Sequence, residues 1–385
     1  MQVPTLSPDE LYGAIERGEN VTIIDVRGPG QYEEWHIDGG ENVTTVNIPI
    51  ASLQTSRVRS MLEDVPTDNR VVTVCASGNS SRAAAAHLDR YGIEAENLSY
   101  GMNGWAYLYQ GVPLESSSSA DIIQYRRPSS GCLGYLVVAG DEAVVVDPLR
   151  AFTDRYQQDA RERGATLEYA IDTHIHADHI SGVRTLASTT DATAVVPVAA
   201  EERGVEYDID YDTVSDGDVL EVGGAEVEVV HTPGHTSGMT SYQVGDVLFT
   251  GDGLFTESVA RPDLEDGEDG AADAARLLYD TLQNTVLSLP DSTIVAPAHF
   301  SDSAEPAEDG TYTATLGDLR ASMDALEMTE DEFVEFVLSD MPPRPSNYQQ
   351  IIGTNLGVES PPERVALQLE LGPNNCAASQ DSMTS

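Results

Sequence analysis

The sequence predicts an α/β protein of two layered domains in tandem, and three observations carry that prediction. Helix-like and strand-like patterns alternate through the first hundred residues, as in a sheet flanked by helices. A polar stretch, Glu115-Ser116-Ser117-Ser118-Ser119, then breaks the pattern as a linker does. Beyond it, apolar runs at 167–172, 227–230, 247–249 and 294–296 each lead towards a His or an Asp. At 385 residues, two or three domains are expected. The expected divisions are 1–115, a linker at 116–121, a second domain at 122–373 and a flexible tail at 374–385.

Taken in order, Ser7-Pro8-Asp9-Glu10 is a capping box with Pro at the first helical position. Leu11, Ala14 and Ile15 continue at helical spacing and Gly18 ends the helix. Residues 21–24 form a short strand closed by Asp25-Val26-Arg27. Residues 71–74 form a buried-type strand that runs into Cys75. The loop Ala76-Ser77-Gly78-Asn79-Ser80-Ser81-Arg82 follows, and then a helix through 83–91. Small residues between strand and helix can turn backbone N–H groups inward, and the helix start adds partial positive charge. Both stabilise a thiolate, so Cys75 is a candidate nucleophile. Arg82 is a candidate for added charge or for holding an anionic substrate. An inert buried thiol is the alternative for Cys75.

In the second domain, 131–138 and 142–146 read as a hairpin turning at Gly140-Asp141, with Asp147-Pro148 at its end. Cys132 reads as a small core residue. A helix at 153–163 precedes the strand at 167–172. That strand leads into Thr173-His174-Ile175-His176-Ala177-Asp178-His179, three of the eight histidines of the chain within six positions. Imidazole and carboxylate are the ligands that Zn and non-haem Fe take. A lone His would be read as a core hydrogen-bonding group; this density points to metal. Residues 180–184 can open a helix. His235 in Thr-Pro-Gly-His-Thr, Asp252 in Phe-Thr-Gly-Asp-Gly and His299 in Ala-Pro-Ala-His bring three further strand ends to the same point. A helix at 271–289 covers the outside. Apolar residues at 316–326 and 333–338 are spaced as helices, and Cys376 is expected to lie exposed in the tail.

The charge is −45, from 65 acidic residues against 20 basic ones, all arginine. Such an excess repels nucleic acid and anionic membrane surfaces, so neither is expected as a partner. With 40% apolar residues the chain is expected to fold, and its acidity points to a salt-loving host in which screening weakens self-repulsion. No secretory leader is expected, the sequence has no 18-residue apolar run, and three scattered cysteines suit a reducing cytoplasm. A homo-oligomer is left open.

Two resemblances follow. Asp25-Val26-Arg27, Tyr32 with Trp35-His36-Ile37, Asn47-Ile48-Pro49 and Gly101-Met102-Asn103-Gly104-Trp105, together with Cys75, resemble a single rhodanese domain over residues 1–115. The resemblance implies sulfane sulfur carried as a persulfide on Cys75. Trp35 departs from the pattern, which has Gly before His-Ile. The histidine motif with His235, Asp252 and His299 resembles the metallo-β-lactamase fold, which implies an αββα sandwich with metal at one edge. Within that fold, Gly131-Cys132-Leu133-Gly134-Tyr135-Leu136, the stretch Phe249 to Phe255 and Ala260-Arg261-Pro262-Asp263-Leu264 are similar to persulfide dioxygenases. That resemblance implies one Fe(II) per chain on His174, His235 and Asp252, with positions left open for a persulfide and O2. His176, Asp178, His179 and His299 are then supporting groups or second-metal ligands. Asp178 is a catalytic candidate and Arg261 a candidate for the substrate carboxylate. The alternative is a glyoxalase-II-like thioesterase with two Zn ions and a regulatory rhodanese-like module.

Overall fold

The structure, a computed structural model, describes residues 3–371 and 376–378 except 54, 56, 57, 64, 266, 302, 303, 340 and 346. Its contacts divide the chain into two compact units. One runs through Leu108 and includes Arg127–Ser130. The other holds Tyr109–Arg126, Gly131–Glu370 and the segment around Cys376.

The first unit is built on a parallel sheet of five strands: β1 (Thr5–Leu6), β2 (Val21–Asp25), β3 (Val43–Asn47), β4 (Arg70–Val74) and β5 (Ala95–Leu98). The spatial order is β1-β5-β4-β2-β3. Every residue of β2 is buried, as a strand covered on both faces requires. The capping box forms as expected, with the Ser7 hydroxyl accepting from the Glu10 amide. Arg27 is tied to Asp25 and to the Trp35 carbonyl, a structural arrangement. Cys75 leaves the C-terminal end of β4, beside its neighbours β2 and β5, and the helix Asn79–Leu88 follows.

The second unit is a sandwich. One sheet holds β6 (Gln110–Leu114), β7 (Asp121–Arg127), β8 (Cys132–Ala139), β9 (Glu142–Val146), β10 (Thr166–Ile171), β11 (Thr193–Pro197) and β12 (Tyr211–Val214) in reversed sequential order. The other runs in order through β13 (Val219–Val222), β14 (Ala225–His231), β15 (Thr240–Val244), β16 (Val247–Gly251), β17 (Ile294–Pro297) and β18 (Ala314–Thr315). The core between them joins Leu133, Tyr135 and Val137 of β8 to Val227, Tyr242 and Phe249 of the facing sheet. The alternate residues Cys132, Leu136 and Val138 join a second cluster with Tyr156 and Leu186 from the helices Thr153–Glu162 and Val183–Thr189. This is the layering expected of a sandwich with helices outside.

The composition placed a linker at 116–121, but β6 pairs antiparallel with β7 and draws the start of this unit back to Tyr109. Ser117 is held there, its amide and hydroxyl donating to Asp246. The helix expected at 271–289 runs Gly267–Asn284 and ends in a tighter turn, Val286–Ser288.

Candidate metal centre and reactive cysteine

The metal loop begins where β10 ends, and its first fixed point is Asp147, just past β9. Asp147 is buried and has a φ of +49°, an unusual conformation for a residue with a side chain. Its carboxylate accepts from the Thr173 amide at 2.7 Å and from the Thr173 hydroxyl at 3.0 Å. It also meets His176 Nε2 at 3.0 Å. A hydroxyl has one proton, and Thr173 donates it to Asp147. The contact of Thr173 Oγ1 with His174 Nδ1 at 2.9 Å is therefore a bond in which Nδ1–H donates. His174 Nε2 is left with its lone pair. His235 Nδ1 lies 2.8 Å from the Arg261 carbonyl, which can only accept, so its Nε2 also carries a lone pair.

Both lone pairs point at Asp252 Oδ2, at 3.5 Å from His174 and 3.6 Å from His235. Three acceptors thus face one another without a proton between them. Asp252 Oδ2 and His174 Nε2 are buried with no hydrogen-bond partner. Burial, with His176 close by, pulls His174 down to about 3, and burial lowers His235 too, so both rings are neutral. Ligands 2.0–2.2 Å from one ion stand about 2.9–3.6 Å apart, which the observed spacings match. The residues fit a divalent cation held by His174, His235 and Asp252.

A second cluster adjoins it. Asp178 Oδ2 is met by Cys132 Sγ at 3.1 Å, His179 Nδ1 at 3.3 Å and His299 Nε2 at 2.5 Å. His299 Nδ1 lies 2.5 Å from Asp252 Oδ1, so this ring spans both carboxylates. Burial opposes charge on His299, but Asp178 and Asp252 outweigh it and hold the ring protonated. The same pairing, against burial, keeps both carboxyls well below the usual range. His176 does not join this cluster; it stands with Asp147 and Asp172. Burial raises Asp172 to about 6. The loop is clamped from behind by Asn355, whose amide donates to the carbonyls of His176 and His179 and accepts from Ser181. Glu370 accepts from the Ile180 amide.

Two expectations need correction. The Arg261 guanidinium is buried and bonded to Asp263 at 2.7 and 3.1 Å and to the Pro343 carbonyl, with Arg344 also on Asp263. It braces the loop and its carbonyl orients His235, so the structure does not offer it to a substrate carboxylate. Cys376 is not exposed. The Arg261 amide donates to its carbonyl and Ala378 donates to Val259, which seats the segment and leaves the thiol 1% exposed beside Asp252 and His299. Sequence reasoning also left Asp147, Asn355 and Glu370 without a role in the site. The Asp-Pro pair at a strand end was the one visible trace of Asp147.

In the first unit, the Cys75 thiol accepts from the Gly78 amide and the Ser81 hydroxyl, each at 3.2 Å. Burial raises this thiol, but the Ser81 hydroxyl and the backbone of Ser81, Ser77 and Gly78 bring it below the ordinary cysteine value. Gly78 has a φ of +82°, and a Cβ on Gly101 would sit 1.9 Å from the Cys75 carbonyl, so both glycines are required by the loop. Arg82 lies exposed on the helix; the hydrogen bonds to Sγ come from Gly78 and Ser81 instead.

Comparison with known proteins gives a consistent picture. Residues 7–107 match the family described as rhodanese-like domain, and residues 129–299 match the metallo-beta-lactamase superfamily. Mitochondrial "Persulfide dioxygenase ETHE1" of Mus musculus is 29% identical over 258 residues, covering 64% of this chain and 94% of that protein. The crystal structure of ETHE1 from Myxococcus xanthus is 30% identical with a TM-score of 0.53, covering 62% of this chain and 98% of that one. A metallo-beta-lactamase structure from Staphylococcus aureus is 26% identical with a TM-score of 0.55, covering 62% of this chain and 72% of that one.

Proposed function

Because the chain belongs to the ETHE1-type persulfide dioxygenases of the metallo-β-lactamase superfamily and carries a rhodanese-like domain ahead of that fold, we propose that it oxidises a low-molecular-weight persulfide with O2. The balanced reaction is RSSH + O2 + H2O giving RSH, sulfite and two protons. The observation that carries the reading is the convergence of two Nε2 lone pairs and one carboxylate oxygen, a 2-His-1-carboxylate set of the kind that holds Fe(II) in oxygenases. Iron bound there supplies the one-electron exchange with O2 that a closed-shell persulfide lacks. Thr173 and the Arg261 carbonyl fix the ring tautomers of His174 and His235. His299 occupies Asp252 Oδ1, which leaves Oδ2 for the ion. Asp178 and His299 hold a proton between them at Nε2, within the buried pocket.

The rhodanese-like domain extends the chemistry. Sulfite attacks the outer sulfur of a Cys75 persulfide, the S–S bond breaks, and thiosulfate leaves with the Cys75 thiol restored. The partners are a small persulfide or thiol and O2. Among the described residues no helix is long and apolar enough to cross a membrane.

The test is iron reconstitution without oxygen, followed by oxygen uptake on adding a persulfide. Uptake with sulfite formation is the expected result. No uptake, with brisk thioester hydrolysis by the zinc form, would establish the glyoxalase-II-like reading instead. Cys75→Ser should abolish thiosulfate formation and leave oxygen uptake with free persulfide in place.

A further inference from the structure

We propose that Asn97 is a positioning residue for Cys75, holding the Ser81 hydroxyl proton while the sulfur is neutral and releasing it to the sulfur as negative charge forms there. Its part in sulfur transfer rests on the reading of Cys75 as a sulfur carrier; the proton arrangement does not.

The Ser81 hydroxyl has one proton and stands between two acceptors, Cys75 Sγ at 3.2 Å and Asn97 Oδ1 at 2.7 Å. Cys75, Ser81 and Asn97 are each 5% exposed or less, so water does not relieve the competition. An amide oxygen is a better acceptor than a neutral thiol, whose sulfur accepts weakly. With the thiol neutral, the Ser81 proton therefore goes to Asn97, and the S–H can donate to the lone pair left on Ser81 Oγ. A thiolate reverses the preference, because hydrogen bonds to a charged group are about twice as strong as neutral ones. The hydroxyl then turns to Sγ and joins the Gly78 amide there. The 3.2 Å contact thus has two forms, and only a proton moves between them.

Both partners are fixed by the sheet. Asn97, in β5, is paired on one side with Thr5 and on the other with Thr73. The Thr73 hydroxyl, two residues before Cys75, donates to the Ser81 carbonyl at 3.0 Å and sets the start of the helix Asn79–Leu88. The side chains packed about Cys75 are apolar, with Val26, Ile48, Ala84 and Ala95 among them. The titratable groups of these elements are engaged elsewhere or exposed. Asp25 pairs with Arg27, Glu96 pairs with Arg70, His87 meets Tyr91, and Arg82 and Tyr100 lie exposed. Hydrogen bonds are left to set the charge state of the sulfur.

The arrangement suits a leaving group. When sulfite or a thiolate attacks the outer sulfur of a Cys75 persulfide, a new S–S bond forms and the old one breaks. The electron pair of the broken bond stays on Cys75 Sγ. The Ser81 proton turns from Asn97 to that sulfur as the pair arrives, so this hydrogen bond is stronger in the transition state than before it.

The experiment is the pH profile of iodoacetamide alkylation of the full-length chain, read by mass spectrometry on the peptide that carries Cys75. Asn97→Leu removes the competing acceptor at nearly constant volume and leaves the Ser81 proton to the sulfur alone. The midpoint should fall by about half to one pH unit. Asn97→Asp keeps an acceptor and strengthens it, so the midpoint should rise; this variant carries the test if the leucine variant does not fold. With Ser81→Ala already in place, adding Asn97→Leu should leave the midpoint unchanged. A merely structural Asn97 would not give opposite signs for the two substitutions. A midpoint that stays or rises with Asn97→Leu, one that stays or falls with Asn97→Asp, or an effect of Asn97→Leu that survives Ser81→Ala overturns the proposal. Alkylation reads the protons with no sulfur bound, and cyanolysis of sulfane sulfur loaded on the wild-type chain reads the carrier role, so failure of one is told from failure of the other.

Discussion

Replacing Asp147 by Asn tests whether the metal centre is held through its supporting carboxylate. Asn tolerates the left-handed conformation as Asp does, so the backbone stays and one oxygen becomes an NH2 group. The carboxylate accepts from the Thr173 amide, the Thr173 hydroxyl and His176. An amide offers one oxygen to these donors, and its NH2 must confront at least one of them. A charge-assisted bond lost is about 1.5–3 kcal/mol, and a buried donor left unpaired costs about 1–3 more. The expected loss of stability is about 3–5 kcal/mol. The second effect runs through Thr173. Freed from donating to Asp147, its hydroxyl no longer forces the proton of His174 onto Nδ1, and affinity at the first site should fall about 10- to 100-fold. Chemical unfolding of the metal-free protein reads the first effect, and chelator competition reads the second. His176 holds the Asp147 carboxyl below its ordinary value against burial, so the charge stabilises the fold above the unfolded carboxylate pKa. That advantage is lost as pH falls through the lowered folded value, and the gap between wild type and variant should narrow there. Unchanged metal affinity in a folded Asp147→Asn would refute the tautomer argument.

Four further outcomes are expected. Ser81→Ala removes a donor from Cys75 Sγ, so the midpoint of the pH profile for iodoacetamide alkylation should move up; an unmoved midpoint would show that the backbone amides suffice. Asn355→Ala strips partners from three backbone groups of the metal loop and should cost about 2–4 kcal/mol, read by thermal unfolding. Gly251 has a φ of +52° and a Cβ there would lie 2.4 Å from Thr173 Oγ1, so Gly251→Ala should cost about 2–5 kcal/mol and release metal; a stable, loaded variant would contradict the placing of Thr173. With a net charge of −45, unfolding midpoints should rise with potassium chloride, and a flat response would remove the inference of salt adaptation.

Much of this was legible in the chain because periodicity and strand-end residues are local signals. The strands carrying Cys75, Asp252 and His299 stand within a residue or two of where their apolar runs put them. The convergence of His174, His235 and Asp252 was legible because motif spacing reflects the sheet's own register. What could not be read were contacts made across long sequence separations. Asn355 reaches His176 over 179 positions, and nothing in Thr-Asn-Leu announces it. Cys132 has the alternation of a core residue and is one, but its face of β8 also meets Asp178, 46 positions on. The segment around Cys376 has the composition of a tail; two backbone hydrogen bonds, with Val259 and Arg261 on either side of the Ala260–Ala377 bridge, outweigh that. Arg261 was misread for the converse reason. Its motif is visible, but the partner that occupies it, Asp263, is visible only as the next charge along.

The two clusters differ in how their polar atoms are held. In the first, His174 Nε2, His235 Nε2 and Asp252 Oδ2 present lone pairs to one another, buried, with their protons fixed on the far side of each ring. Such an arrangement gains nothing until a cation enters, so most of the binding energy is realised there. In the second, Asp178 Oδ2 already accepts from Cys132, His179 and His299. Protons shared with these partners already neutralise much of the carboxylate's charge. A cation at the first site meets three acceptors that hold no proton between them. A shared ring, His299, is what lets the state of one be felt by the other.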